Sequence, residues 1–233
     1  MRPRNDPRQY DDLADEWWPP RGAFAMLRWI AAARRRLIPA ATRTKALLLD
    51  IACGGGLLAP VVAPTGHRHV GVDLSLPALA QARGRGVVAI RADALRLPFR
   101  DASFDVVVAG ELLEHVSPMS AAVAEACRVL RPGGTLVVDT IAATRWGRFS
   151  AVTIGERLPA GPPRRLHDPR LFVDRAELRA AAARHGVTLT LNGLRPSVVD
   201  YIRWLFHRAD DVRMVPTRFT GGLFQAVGVK EAR

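Results

Sequence analysis

Apolar positions in the first half of the chain fall in short unbroken runs set between amphipathic stretches. Leu47-Leu48-Leu49 leads through Asp50 to Ile51, and Val106-Val107-Val108 and Leu136-Val137-Val138 repeat the pattern. Runs of this length, rich in Val, Ile and Leu, are strands covered on both faces. They place strands at 46–51, 69–73, 87–91, 104–109 and 134–140. The stretches between them read as helices at 57–64, 76–84 and 119–130, with a further helical turn at 111–116. Strand and helix alternating at this spacing build a parallel, doubly wound sheet. A helix at 174–185, closed by Gly186, precedes two late strands at 187–192 and 223–229, expected as an antiparallel edge hairpin. At the other end, 11–18 and 22–38 read as helices broken by Pro19-Pro20, and the Pro/Arg-rich 1–8 as disordered. The stretch 141–168 fits no core element. It mixes Trp146, Phe149, Val152, Ile154 and Leu158 with five arginines and reads as a mobile cap.

The junction after the first strand carries most of the chemistry. Asp50-Ile51-Ala52-Cys53-Gly54-Gly55-Gly56 joins a buried strand to a helix through three glycines, which let backbone N–H groups approach a ligand. Asp73, at the tip of the second strand, lies 17 residues beyond Gly56, where nucleotide-binding α/β folds hold ribose hydroxyls. The loop is neither G-x-G-x-x-G nor G-x-x-x-x-G-K-[ST]. Asp50 repels a pyrophosphate and attracts a cation. An adenosine carrying a positive group fits this loop, and S-adenosylmethionine is such a molecule.

Length and composition narrow the picture. The 233 residues suit one domain, with 1–45 as a helical lid, 46–140 as the cofactor-binding core, 141–168 as a cap and 169–233 as a C-terminal helix with edge strands. No apolar stretch is long enough to span a bilayer, and the charged N-terminus is no secretory signal. Two cysteines, Cys53 and Cys127, point to a reducing cytoplasm, with Cys127 expected in the core. A net charge of +12 suggests an anionic partner, although an arginine-rich, alanine-rich composition produces the same balance without one. No basic stripe interleaves with stacking aromatics, so nucleic acid is not the expected partner.

The motif series Asp50 to Gly56, Asp73, Asp93, Phe104-Asp105 and Arg131-Pro132-Gly133-Gly134 resembles that of class I S-adenosylmethionine-dependent methyltransferases. More narrowly, Tyr10-x-x-Leu13-Ala14-x-x-Trp17-Trp18, Gly22-x-Phe24-x-x-Leu27-x-x-Ile30, Cys53-Gly54-Gly55-Gly56, Glu111-Leu112-Leu113-Glu114-His115-Val116 and the cap ending at His167-Asp168 resemble the ubiquinone-biosynthesis O-methyltransferase family. The resemblance covers nearly the whole chain. It implies a Rossmann-like, doubly wound, seven-stranded, mostly parallel sheet with N-terminal helices and a cap insertion after the fifth strand. It also implies cofactor contacts at Arg34, Asp50, Ala52, Gly54, Asp73, Leu74, Asp93, Ala94 and Gly110. Ala52 stands where the family has glycine, so a looser backbone approach is expected. Arg34 is otherwise a solvated member of the run Arg34-Arg35-Arg36.

Glu111, Glu114 and His115 sit at i, i+3 and i+4, which on a helix gathers two carboxylates and an imidazole on one face. Oxygen ligands with one nitrogen suit Mg²⁺, and the resemblance implies a divalent cation held by these three residues. His115 as a metal-free general base, and a purely structural role, stay open beside it. The implied reaction is methyl transfer to a phenol, catechol or quinol hydroxyl of a prenylated quinone precursor, with a soluble natural-product phenol as the alternative acceptor. An amphipathic cap rich in arginine suits peripheral contact with an anionic membrane at its inner face. Trp17, Trp18, Phe24 and Trp29 read as core or as a lid over a large apolar ligand. Asp168 reads as a helix N-cap before Pro169, His185 as a helix C-terminal residue, and His67, His69 and His207 as surface.

Overall fold

Five parallel strands form the left and centre of one sheet, ordered β3-β2-β1-β4-β5 in a computed structural model that describes residues 3–232. They are β1 (Leu47–Ile51), β2 (Arg68–Asp73), β3 (Val88–Arg91), β4 (Phe104–Gly110) and β5 (Leu130–Ile141). β1 lies centrally, with Leu49 opposite Val70 on one side and Val107 on the other. Leu48 and Leu49 are fully buried because helices cover both faces of the sheet.

The right-hand half differs from expectation. The sheet has eight strands among the described residues, adding β6 (Thr190–Pro196), β7 (Met214–Thr217) and β8 (Leu223–Val229), in the order β5-β8-β6-β7. The late pair lies side by side and antiparallel as expected, but it is not the edge and no hairpin joins it directly. β8 inserts antiparallel between β5 and β6, and the short β7 makes the edge. Pro216 inside β7 is tolerated because an edge strand leaves one row of N–H groups unused.

The helices are α1 (Arg8–Asp12), α2 (Ala25–Arg34), α3 (Ala59–Val62), α4 (Leu76–Arg83), α5 (Met119–Val129), α6 (Arg145–Arg148), α7 (Arg175–Ala183) and α8 (Val198–Leu205). Ser75 caps α4 through its side chain and Asp174 caps α7. Several are shorter than their apolar pattern, and 11–18 divides into α1 and a 3₁₀ turn at Ala14–Glu16. The stretch 111–116 holds only the 3₁₀ turn Leu113–His115, because Glu111 takes a left-handed φ of 52° that no helix continues. Asp168 caps no helix: it accepts from the Arg170 backbone at 3.0 Å and pairs with its guanidinium.

The N-terminal arm is docked rather than disordered over its described part, residues 3–8, while residues 1 and 2 lie outside the described residues. Arg4 pairs with Glu156 of the cap at 2.7 Å, and Asp11 accepts from Ser75 Oγ at 2.5 Å. Trp17 stacks on Phe24 at 4.2 Å, and both are buried. Cys127 is core, as expected. His67 and His69 are buried rather than exposed. Their ring nitrogens find Thr65 Oγ1 at 2.8 Å and Asp50 Oδ2 at 3.3 Å, which makes burial affordable.

Candidate functional site

One cavity of about 720 Å³ opens over the ends of β1, β2 and β4, beneath the arm and the cap. Its position, outside the carboxyl ends of the parallel strands where the order reverses, is the usual ligand crevice of such sheets.

Asp50, Ala52, Cys53 and Leu57 of the glycine-loop region make one wall, whereas Gly54, an expected cofactor contact, does not border the cavity because the Trp17 ring covers it. Gly54 and Gly56 adopt φ of 50° and 81°, and Ala52 joins them at 58°. An alanine in this region costs about 1–2 kcal/mol relative to glycine. The backbone turn expected to loosen is thus kept, at a strain. Asp73 ties the loop down: its carboxylate accepts from Gly54 N–H at 2.8 Å and Ser75 N–H at 2.9 Å. Burial pushes the Asp73 carboxyl upward, and these two N–H groups oppose the rise. Asp50, Asp73, Leu74, Asp93, Ala94, Ala52 and Gly110 all border the cavity, so the two strand-tip acids lie on the same side of the sheet. Asp93 stands exposed at the rim, and its Oδ1 accepts from Leu95 N–H at 2.9 Å.

Close approach explains the glycines. A Cβ on Gly54 or Gly55 would collide with the Trp17 ring, and one on Gly110 with the Arg34 guanidinium. Arg34 is buried, not solvated, and its Nε and Nη2 grip the carboxylate of Asp139, the latter at 2.6 Å. Burial works against its charge, but Asp139 outweighs burial and its pKa rises.

The opposite wall is built from parts far apart in sequence. His115 faces the cavity, and His167 from the cap stacks on it with ring centroids 5.1 Å apart. Asn5 Oδ1 lies 2.6 Å from His115 Nδ1, and Tyr10 Oη lies 3.3 Å from Nε2. Desolvation lowers the His115 pKa to about 3 and that of His167 to about 4, with His167 adding to the first effect and Arg4 to the second. Both imidazoles are neutral at ordinary pH. Glu114 accepts from Thr140 Oγ1 at 2.7 Å, and burial pushes its carboxyl up to about 7. Burial, Glu114 and Asp139 together push Glu111 well up.

The triad expected to bind metal is rearranged. Glu114, His115 and His167 bring one donor atom each within 4.8 Å of one another, whereas Glu111 turns toward Asp139. Glu111 Oε1, Glu114 Oε1 and His167 Nδ1 are buried without hydrogen-bond partners. Asn5, Tyr10 and His167 were not among the expected site residues. Only the aromatic spacing of the arm and the His-Asp ending of the cap hinted at them. The Phe104-Asp105 and Arg131 motifs prove structural: Asp105 joins Arg43, Arg131 and the Leu47 N–H at 2.7–3.1 Å.

Comparisons with known proteins agree with this crevice. Residues 49–138 match the methyltransferase domain family. A "Ubiquinone biosynthesis O-methyltransferase" of Paraburkholderia xenovorans is 35% identical over 75% of this chain and 79% of that protein. One of the same name from Methylococcus capsulatus is 32% identical over 88% and 89%. A crystal structure of a SAM-dependent methyltransferase from Thermotoga maritima, a possible histamine N-methyltransferase, superposes with a TM-score of 0.65 at 20% identity, covering 96% of this chain and 97% of that one. The sheet order, the acid-flanked glycine loop and these likenesses define an S-adenosylmethionine-dependent methyltransferase. Within that class, the chain belongs to the ubiquinone biosynthesis O-methyltransferase family.

Proposed function

We propose that the chain methylates a hydroxyl of a phenol, catechol or quinol, with an isoprenoid quinone precursor as acceptor. The names of its relatives support this acceptor class. One observation carries the chemistry: His115 lines the same cavity as Asp50, Ala52, Cys53 and Asp73. The cradle fits the cofactor, because carboxylates at Asp50, Asp73 and Asp93 and the small residues Ala52 and Gly110 line one cavity able to take hydroxyls and a positive group. Asp73 and Leu74 would hold the ribose side, Asp93 and Ala94 the adenine, and Asp50, Ala52 and Gly110 the methionine end. Arg34, locked to Asp139, would meet the carboxylate of that end through the guanidinium edge left over from the pair. When bound, the cofactor supplies an electrophilic methyl group. The protein aligns the acceptor oxygen, and His115 Nε2 takes the hydroxyl proton as the oxygen becomes nucleophilic. Calorimetry with S-adenosylhomocysteine, then turnover of a short-chain prenyl catechol, tests the reading. Absent heat, or equal turnover of unprenylated soluble phenols, removes it or its acceptor.

A divalent cation is the alternative reading of the same residues. The orphaned Glu114 Oε1 and His167 Nδ1 fit one, and with His115 they would hold it, His115 then serving as a ligand in place of the base. Two imidazoles with one carboxylate suit Mn²⁺ or Zn²⁺ better than the Mg²⁺ expected from two carboxylates. There it would act as a Lewis acid toward the acceptor oxygen. Loss of turnover in EDTA, restored by Mn²⁺ rather than Mg²⁺, is the expected result.

Peripheral membrane contact at the inner, cytoplasmic face is the proposed setting. No described helix is long and apolar enough to cross a membrane. The amphipathic element is α8 as well as the cap. Val198, Val199, Ile202 and Leu205, with Phe206 following, are exposed along one side, while Tyr201 and Trp204 pack inward on Trp29. Tyr201 Oη donates to the cap carbonyl of Pro159 at 2.8 Å, which joins α8 to exposed Trp146, Phe149 and Leu158. Arginines 145, 148, 203 and 208 are exposed around this surface and suit an anionic leaflet. Flotation with phosphatidylglycerol vesicles tests it, and no lipid dependence overturns it.

A further inference from the structure

Asn5 makes two hydrogen bonds to one residue 110 positions away, and their polarity leaves a single arrangement. Its Nδ2 donates to the His115 backbone carbonyl at 2.9 Å. A carbonyl oxygen only accepts, so this bond fixes which way the amide points. The other amide atom, Oδ1, then lies 2.6 Å from His115 Nδ1 and also only accepts. The proton must sit on Nδ1, and Nε2 keeps its lone pair. Both His115 and Tyr10 line the cavity, and the Tyr10 hydroxyl stands 3.3 Å from Nε2. An aromatic O–H donor is thus already accommodated opposite Nε2, the same group a phenolic acceptor would bring.

We infer that Asn5 is a positioning residue that sets the His115 tautomer, so that the imidazole keeps an unprotonated Nε2 only while the arm is docked. The arm is held in place independently of this contact. Asn5 N–H donates to the Arg165 carbonyl at 3.1 Å, and Arg4 bonds Glu156 at 2.7 Å and the His167 carbonyl at 2.8 Å. Arm, cap and reactive ring therefore meet at one point, and closing the site and arming His115 are one event. Without Asn5, nothing at Nδ1 distinguishes the two neutral tautomers, and the fraction with a usable Nε2 falls. The inference rests on His115 as the group that takes the acceptor proton. It concerns the ring itself, so it is testable without turnover.

The experiment is ¹⁵N NMR of histidine-labelled protein, with the His115 signals assigned by their loss in His115→Gln. The wild-type ring should show a protonated Nδ1 and an unprotonated Nε2, and Asn5→Ala should show a mixture. In Asn5→Ala, kcat should fall roughly tenfold or more, within the usual range for a positioned base, while the cofactor KM moves less than about twofold. Arg4→Ala is the control, cutting an arm–cap contact while keeping Asn5. The proposal is overturned if Asn5→Ala keeps a pure Nδ1–H ring, or if Arg4→Ala lowers kcat equally with the tautomer intact. If His115→Gln retains turnover while the tautomer still answers to Asn5, the role of His115 as base falls and the hold of Asn5 on the ring stands.

Discussion

The two walls of the cavity are made in opposite ways. The wall proposed to hold the nucleoside is local: a strand, a glycine turn and a second strand, all within 47–73, with Asp73 bonded back to Gly54. The wall proposed to meet the acceptor is assembled from Asn5 and Tyr10 of the arm, His115 beyond β4 and His167 of the cap. The difference teaches where specificity resides. The local wall recognises a ligand shared by a whole class of enzymes, so a short stretch suffices. The distant wall is free to vary, because its parts come from segments with no fixed place in the sheet.

Breaking each wall separately should separate binding from turnover. The largest effect is expected from His115→Ala: turnover falls by about 10²–10⁴ while calorimetric affinity for S-adenosylhomocysteine is kept. Asp73→Asn should do the reverse, weakening that affinity roughly tenfold to a hundredfold, the usual worth of a charged hydrogen bond, with little change in kcat. Gly110→Ala sharpens the comparison at the seam of the two walls. Its Cβ meets the Arg34 guanidinium, and overpacking of about 1–3 kcal/mol should lower Tm by several degrees in calorimetric scans. Ile202→Asp on α8 should cut vesicle flotation while leaving turnover of a soluble catechol unchanged, since it touches neither wall.

The smallest effect concerns pH. His115 and His167 have folded-state pKa values near 3 and 4, against 6.5 when free. Below pH 6.5 the unfolded chain binds these protons first, so their contribution to stability is lost as pH falls toward 4. Glu114, raised to about 7, acts oppositely by losing stability as pH rises from about 4.5. The difference in Tm between wild type and His115→Gln/His167→Gln isolates the histidines. It should shrink from pH 7 to pH 5, and a constant difference would contradict their burial as neutral rings.

Legibility in the sequence followed the same division. β1 to β5 and the glycine loop could be read because each is a contiguous pattern whose physics is local. β7 was missed because four residues with a proline carry no strand period. The place of β8 was missed because nothing along a chain says which neighbour a strand will choose. Glu111, Glu114 and His115 were expected on one helix face, and their geometry was misjudged: spacing assumes a helix, and Glu111 leaves the helical region. His167 was taken for the neighbour of a capping residue, since only the folded cap brings it over His115.

The insertion of β8 between β5 and β6 carries a consequence for assembly of the sheet. During folding, β6 has only β7 for company until β8 arrives, and the free edge of β5 waits for the same strand. During that interval two unsatisfied edges are open to other chains, so slow insertion of β8 should favour aggregation and chaperone capture.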